Sequence, residues 1–184
     1  MRKLLIMLLG LSLLCSCGIS TNHAFSSESY KEIAHNHILE EVKTDNFVVY
    51  EDYNITVGQA IWDEFLEGVE KGNSCEIRLL FYNTMKGQGI TPEHEQYEDI
   101  KDDYPLIYIQ DLHFDGMNYT LYWVDEEKEY SREYEFLKKH EDSLAIRYFL
   151  VHDNSVTWEQ VIRSMFSSQS GDFIEWETVY QKKH

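Results

Sequence analysis

Two apolar runs, LIYIQDLHF over residues 106–114 and YTLYWVDEE over 119–127, face each other across Asp115, Gly116, Met117 and Asn118. Alternating β-formers on both sides of an Asp-Gly pair specify a β-hairpin, because few residue types accept the positive φ that such turns need. No other stretch constrains the fold as much. It fixes an antiparallel pair in the middle of the chain and makes each neighbouring apolar run a candidate for the same sheet.

EIRLLFYN, residues 76–83, and the nearly all-apolar LAIRYFLVH, residues 144–152, read as further strands, the second as a central one. FVVYEDY, residues 47–53, is short and β-rich. FIEWETVYQ, residues 173–181, alternates Ile174, Trp176, Thr178 and Tyr180 against Glu175, Glu177 and Gln181, the pattern of a strand with one dry face.

Helical spacing recurs in three places. Tyr30, Ile33, Ala34, His37, Ile38 and Val42 share one face. Val57, Ala60, Ile61, Phe65 and Val69 share another, with Thr56 positioned to cap the start and Gly72 to end the helix. Val161, Ile162, Met165 and Phe166 follow Thr157 and Gln160, which are spaced as a capping box. Residues 84–104 read as a long irregular loop with a short helix after Pro92, and the charged stretch 127–142 suits a loop or a solvated helix. Grouped strands with helices to either side in sequence predict an α+β fold, an antiparallel or mixed β-sheet with helices packed on one face.

Ahead of this domain stands a different kind of segment. Arg2 and Lys3 precede the apolar run Leu4 to Leu14, the layout of a secretory signal. As a helix that run rises only about 16 Å, roughly half a bilayer's hydrocarbon thickness. Leu14, Cys15, Ser16 and Cys17 resemble the lipobox of bacterial lipoproteins, in which a small residue stands immediately before the modified cysteine. Leu14 is too bulky to serve Cys15 in that way, whereas Ser16 suits Cys17. The resemblance implies removal of residues 1–16, acylation of Cys17, and anchorage to membrane lipid on the extracytoplasmic face; two or more acyl chains hold stably where one is marginal. Residues 17–29 then form the lipidated cysteine and a small, polar, flexible spacer, and residues 30–184 a single globular α+β domain.

The formal charge is −17, and removal of residues 1–16 takes away two cations and no acid. So acidic a chain disfavours nucleic acid and carries no polybasic patch to hold it on anionic lipid. Of the three cysteines only Cys75 lies beyond the anchor region, so no internal disulfide is expected and stability must come from packing, in a monomer.

Candidate chemistry is sparse. His35 and His37, two apart, diverge by about 200° on a helix and cannot share an ion there, and His94, His113, His140 and His152 are scattered singly. The acidic stretches 93–103 and 125–129 lack the alternating ligands of a dedicated calcium loop and read as solvated acid. Cys75 precedes a strand, where a small buried thiol is the common case. There is no Gly-x-Ser-x-Gly elbow, no Ser-x-x-Lys and no Gly-rich phosphate loop. No catalytic residue, metal or cofactor is assigned. Thirteen Tyr, with Trp62, Trp123, Trp158 and Trp176, stand either as half-buried sheet residues or, if exposed together, as a surface for sugars or peptides.

WDEFLEGVEKGNSCEIRLLFYNT and LIYIQDLHFDGMNYTLYW, in that order, resemble an uncharacterised family of small lipoproteins from Bacillus- and Clostridium-like bacteria. The likeness runs over residues 57–124, with an insertion at 84–104. It implies a fold and an envelope address and transfers no chemistry. The expected function is a membrane-anchored binding or interaction protein whose partner is another envelope protein, a peptide or a polymer; the alternative is an envelope enzyme acting on cell-wall or extracellular substrate. Exposed Tyr and Trp gathered on one sheet face would favour the first, and a pocket collecting His and carboxylates with Cys75 or a Ser the second.

Replacing Cys17 with Ala is expected to release the protein from the membrane fraction or leave an unprocessed precursor, whereas Cys15→Ala does neither. Metabolic labelling with a palmitate analogue reads both. Loss of label in Cys15→Ala alone would reverse the assignment.

Overall fold

The computed structural model describes residues 47–125, 128–167 and 173–184. The signal segment 1–16, Cys17, the spacer to residue 29, and the helix predicted over Tyr30 to Val42 with its His35 and His37 lie outside the described residues. Within them the chain is α+β, as its pattern predicts. Its strands are β1 (Val48–Glu51), β2 (Asn54–Val57), β3 (Cys75–Asn83), β4 (Leu106–Phe114), β5 (Tyr119–Asp125), β6 (Lys128–Tyr134), β7 (Phe136–Glu141), β8 (Ala145–Val151) and β9 (Trp176–Lys183). Its helices are α1 (Gln59–Glu70), the single turn α2 (Tyr97–Ile100) and α3 (Trp158–Phe166).

The strands form two sheets, one of six in the order β2-β1-β3-β4-β5-β6 and one of three in the order β7-β8-β9. Every pairing is antiparallel except β1 with β3, which are joined through β2 and α1. The predicted hairpin is present at the centre of the larger sheet. Asp115 N donates to Asn118 O at 3.1 Å, and the Asp115 carboxylate accepts from the N–H groups of Met117 and Asn118. Gly116 takes φ +104°, which a side chain resists.

Several expectations need correction. FVVYEDY is not one strand: Asp52 and Tyr53 both take positive φ, 48° and 66°, and make a two-residue hairpin turn between β1 and β2. Thr56 consequently lies in β2, where its hydroxyl donates to Glu51 Oε1 at 2.8 Å, and it caps nothing. The chain enters α1 through Gly58 at φ +84°, where a Cβ would stand 2.3 Å from the carbonyl oxygen of Phe47. Val57 is therefore a strand residue, and the buried stripe of α1 is Trp62 and Phe65, flanked by Ile61, Leu66 and Val69. Gly72, at φ +67°, closes the helix by donating to Val69 O. The charged stretch after β5 is neither loop nor helix but two strands, β6 and β7. Six of the seven residues of β6 are exposed, as befits an edge strand solvated on both faces.

On α3 only Val161 of the expected stripe is buried, while Ile162, Met165 and Phe166 are exposed. Other local expectations hold. β8 is central in its sheet, α3 starts at a capping box formed by Thr157 and Gln160, and the loop before β4 contains α2 after Pro92.

Side chains alternate across each strand, so register decides what each face presents. Ile77 pairs with Leu112 and Leu112 with Leu121, while Phe114 pairs with Tyr119 and Tyr119 with Tyr134. These residues line the inner face of the larger sheet and join the main core. Trp62 and Phe65 of α1 and Leu150, Val179 and Tyr180 of the smaller sheet complete it. The other face of the larger sheet buries Val49, Leu80 and Ile109 with Phe47. α3 lays Val161 against Phe149 and Val151 of the smaller sheet. The helices are thus divided between the two sheets.

Gly116→Val is expected to cost about 1–3 kcal/mol, since a β-branched side chain is forced into positive φ and its Cβ meets Gly72 O at 3.1 Å. Urea denaturation measures it, and an unchanged midpoint would mean that the turn tolerates other backbone angles.

Candidate functional site

The two sheets are tied to each other at more than one place. Gln181 Nε2 donates to Tyr53 O and the Lys183 N–H to Asn54 Oδ1, tying the C-terminal half of β9 to the β1–β2 hairpin. Ahead of β9, Glu175 pairs with Arg132 of β6, and a cleft of about 1050 Å³ is lined by residues of both sheets.

Its walls follow from strand register. On the inner face of the larger sheet, Phe81 pairs with Tyr108 and Gln110 with Trp123. By the same alternation Asn83 and Asp125 project from that face, and all six line the cleft. The same face is dry at its other end, where Ile77, Leu112 and Leu121 are buried. The opposite wall comes from β9, with Trp176, Glu177, Thr178 and Tyr180, and from a helical stripe of α3, Trp158, Ile162 and Met165 at i, i+4 and i+7. Tyr53 stands at the mouth, half exposed, its hydroxyl held by Gln88 Oε1 at 2.7 Å.

Three of the four tryptophans therefore line the cleft, and Trp62 alone is core. Trp158 and Trp176 meet edge to face at 5.8 Å. Trp123 stacks on Tyr130 at 5.6 Å. Arg132 lies 5.6 Å from the Trp123 ring and pairs with Glu175 at 2.9 Å; Arg147 lies 5.5 Å from the Trp158 ring and pairs with Asp142 at 2.8 Å. Cations thus already lie beside two of the rings that form the walls, each neutralised by its own carboxylate.

The polar atoms of the cleft differ in how they are satisfied. Tyr50 donates to Val179 O, Tyr180 to Gln59 Oε1, and Gln181 is held on both sides, by Tyr53 O and by Arg147. Gln110 Oε1 is buried with no hydrogen-bond partner among the described residues. Leaving such an acceptor unpaired costs about 1–3 kcal/mol. Glu177 is largely removed from water, and burial pushes its carboxyl above the usual range, opposed in part by nearby Arg132.

The residues weighed for other chemistry lie elsewhere. Cys75 packs beneath α1, its Sγ 3.6 Å from Phe65 O, and burial pushes its thiol up to about 11, so it is a poor nucleophile. His113 approaches Ser74, His140 approaches Asp142 and His152 approaches Glu175, on separate elements. Among the described residues no three metal-ligating side chains cluster. His94 and the acids of 93–103 lie on an exposed loop and helical turn. Of the described residues that line the cleft, none is His, Ser or Cys.

What the sequence could not supply was the gap between the sheets, though the alternation of Tyr108, Gln110, Trp123 and Asp125 on one face was readable once the hairpin was placed. No family model, no curated protein and no solved structure matches this chain.

Because the folded state holds the Glu177 proton more tightly than the unfolded chain, this group's contribution to stability falls as pH rises from the ordinary carboxylate range through the raised value. Glu177→Gln removes that dependence. Its urea midpoint is expected to gain on the parent's between pH 4 and pH 7; parallel curves would mean that Glu177 ionises as in water.

Proposed function

We propose that this chain is a lipid-anchored binding protein of the bacterial cell envelope, tethered through Cys17, whose aromatic cleft receives its partner. The observation that carries the reading is the gathering of Trp123, Trp158 and Trp176 with Tyr108 and Tyr53 around one open cleft. Aromatic side chains that serve only sheet packing would be covered, as Trp62 is at 1% exposure, whereas Tyr53 and Tyr108 are each 53% exposed. A concave, mostly apolar site with a few placed polar groups is the usual form of a ligand pocket. The lipobox-like segment and the resemblance over residues 57–124 support the envelope address.

The enzymatic alternative rests on Glu177, a carboxyl with its proton held tightly inside a cleft, which is how a general acid is prepared. The cleft offers it Asp125 as a second carboxylate and, among the described residues, no histidine, serine or cysteine to activate. Binding is the simpler use of such walls.

A photo-crosslinking amino acid at Tyr108 in intact cells tests the reading, with Met117 as control. Met117 is 80% exposed at the opposite end of the β4–β5 hairpin. A discrete adduct from position 108, missing from position 117 and lost in Trp123→Ala, is expected. Equal labelling from both positions, or none from either, would remove the cleft as the binding site.

A further inference from the structure

The buried polar atom that the cleft leaves without a partner is an acceptor, and its ionisable side chains are acidic. Its hydroxyl groups on Tyr50 and Tyr180 are spent on Val179 O and Gln59, and the Gln181 amide is spent on Tyr53 and Arg147. Among the fully buried polar atoms of the lining the unpaired one is Gln110 Oε1, and the ionisable acids of the lining are Asp125 and Glu177. No Lys or Arg is among the described lining residues. A ligand that completes this site brings donors and positive charge. The flat faces of Trp and Tyr agree, because a desolvated ammonium or guanidinium over an aromatic ring is attracted by the ring quadrupole. The protein itself places Arg132 beside Trp123 and Arg147 beside Trp158. Both arginines are already paired with acids, so neither satisfies Gln110.

The size of the site separates a peptide from a lone cation. About 1050 Å³ is at the upper limit of sites for drug-sized ligands, roughly 300–1,000 Å³, far more than one ammonium group fills. Its apolar margin is also exposed, with Tyr53, Tyr108 and Met165 each more than half accessible. That margin suits the apolar neighbours of a basic residue in an extended chain.

Resting on the binding reading above, we propose that the cleft takes a cationic peptide segment. A Lys or Arg side chain enters between the walls to meet Gln110 Oε1 and Glu177, and flanking apolar side chains cover Tyr108 and Met165. A formal charge of −17 steers such a segment inward, and its effect on association weakens with salt.

The test uses the full chain in a non-ionic detergent at 150 mM salt, read by tryptophan emission, with acetyl-Leu-Lys-Leu-amide as probe. The comparison probes are acetyl-Leu-Gln-Leu-amide, cadaverine and cellohexaose, and all are free of tryptophan. The lysine peptide is expected to bind at least tenfold more tightly than each of the other three. Glu177→Gln and Gln110→Leu, each with its melting temperature measured, are expected to cut that preference at least fivefold, while the distant Asp102→Asn leaves it unchanged. Cadaverine binding as tightly as the peptide overturns the peptide assignment. Equal, saturable, Trp123-dependent binding of the glutamine peptide or the oligosaccharide overturns the cationic assignment and leaves the cleft a binding site. If no probe gives a Trp123-dependent change, the cationic inference fails, and the crosslink from position 108 then decides separately whether the binding reading survives.

Discussion

The seating of Trp62 is the contact on which the rest of this structure depends. Its ring stacks on Tyr180 of β9 at 4.6 Å, meets Tyr148 of β8 edge-on at 5.3 Å and tilts against Phe65 at 5.7 Å, and 1% of the residue is exposed. One side chain on α1 thereby joins the helix to the smaller sheet, while α1 itself packs on the larger. Tyr50 completes the joint from the other side. Its ring stacks on Phe81 at 4.9 Å and its hydroxyl donates to Val179 O at 2.8 Å, and burial pushes its pKa well above the ordinary phenol value. Full burial of large aromatics is worth several kcal/mol together. Two sheets of different size are fixed to each other through this cluster, with the Arg132–Glu175 pair as a further tie, and the cleft lies between them.

The cleft is built on strands and a helix, and its width is therefore set by the frame. Its two walls continue surfaces that are buried elsewhere: Leu112 and Leu121 lie on the face that carries Gln110 and Trp123, and Val161 and Met165 belong to one short helix. Polar and aromatic residues replace aliphatic ones where the sheets separate. An aliphatic face left open to water there would be an aggregation surface; Tyr and Trp tolerate partial exposure because one end of each is polar. The proposed binding role rests on that same substitution.

Much of this was legible in the sequence and some of it was not, for physical reasons. The Asp115–Gly116 hairpin, β3, β8, the capping box of α3 and the close of α1 at Gly72 are local decisions, made by turn chemistry and alternation. FVVYEDY misled because Asp52 and Tyr53 take positive φ without glycine, so the turn between β1 and β2 carries no composition signal. The stretch after β5 misled because an edge strand wet on both faces has no apolar period to show. Trp62 was passed over because the helical stripe was started at Val57, which belongs to β2. β9 has a register irregularity opposite Tyr148 and Phe149, which turns both Val179 and Tyr180 toward buried surroundings and breaks a simple alternation.

The division of the tryptophans shows where composition stops being informative. All four are compatible with helices or strands by propensity, and nothing local distinguishes Trp62 from Trp158, both near the start of an amphipathic helix. The difference arises between elements. α1 turns Trp62 and Phe65 into the core shared by both sheets, so Trp62 contributes nearly its whole surface to the joint. α3 covers the smaller sheet with Val161 and leaves Trp158 at its edge, between Phe149 and the cleft. Exposed aromatic area near the joint lowers the stability that burial would have supplied, and the chain offsets this with the tight cluster around Trp62. Under the proposed binding role, a ligand covering the same rings would recover that area and draw on free energy that folding left unused.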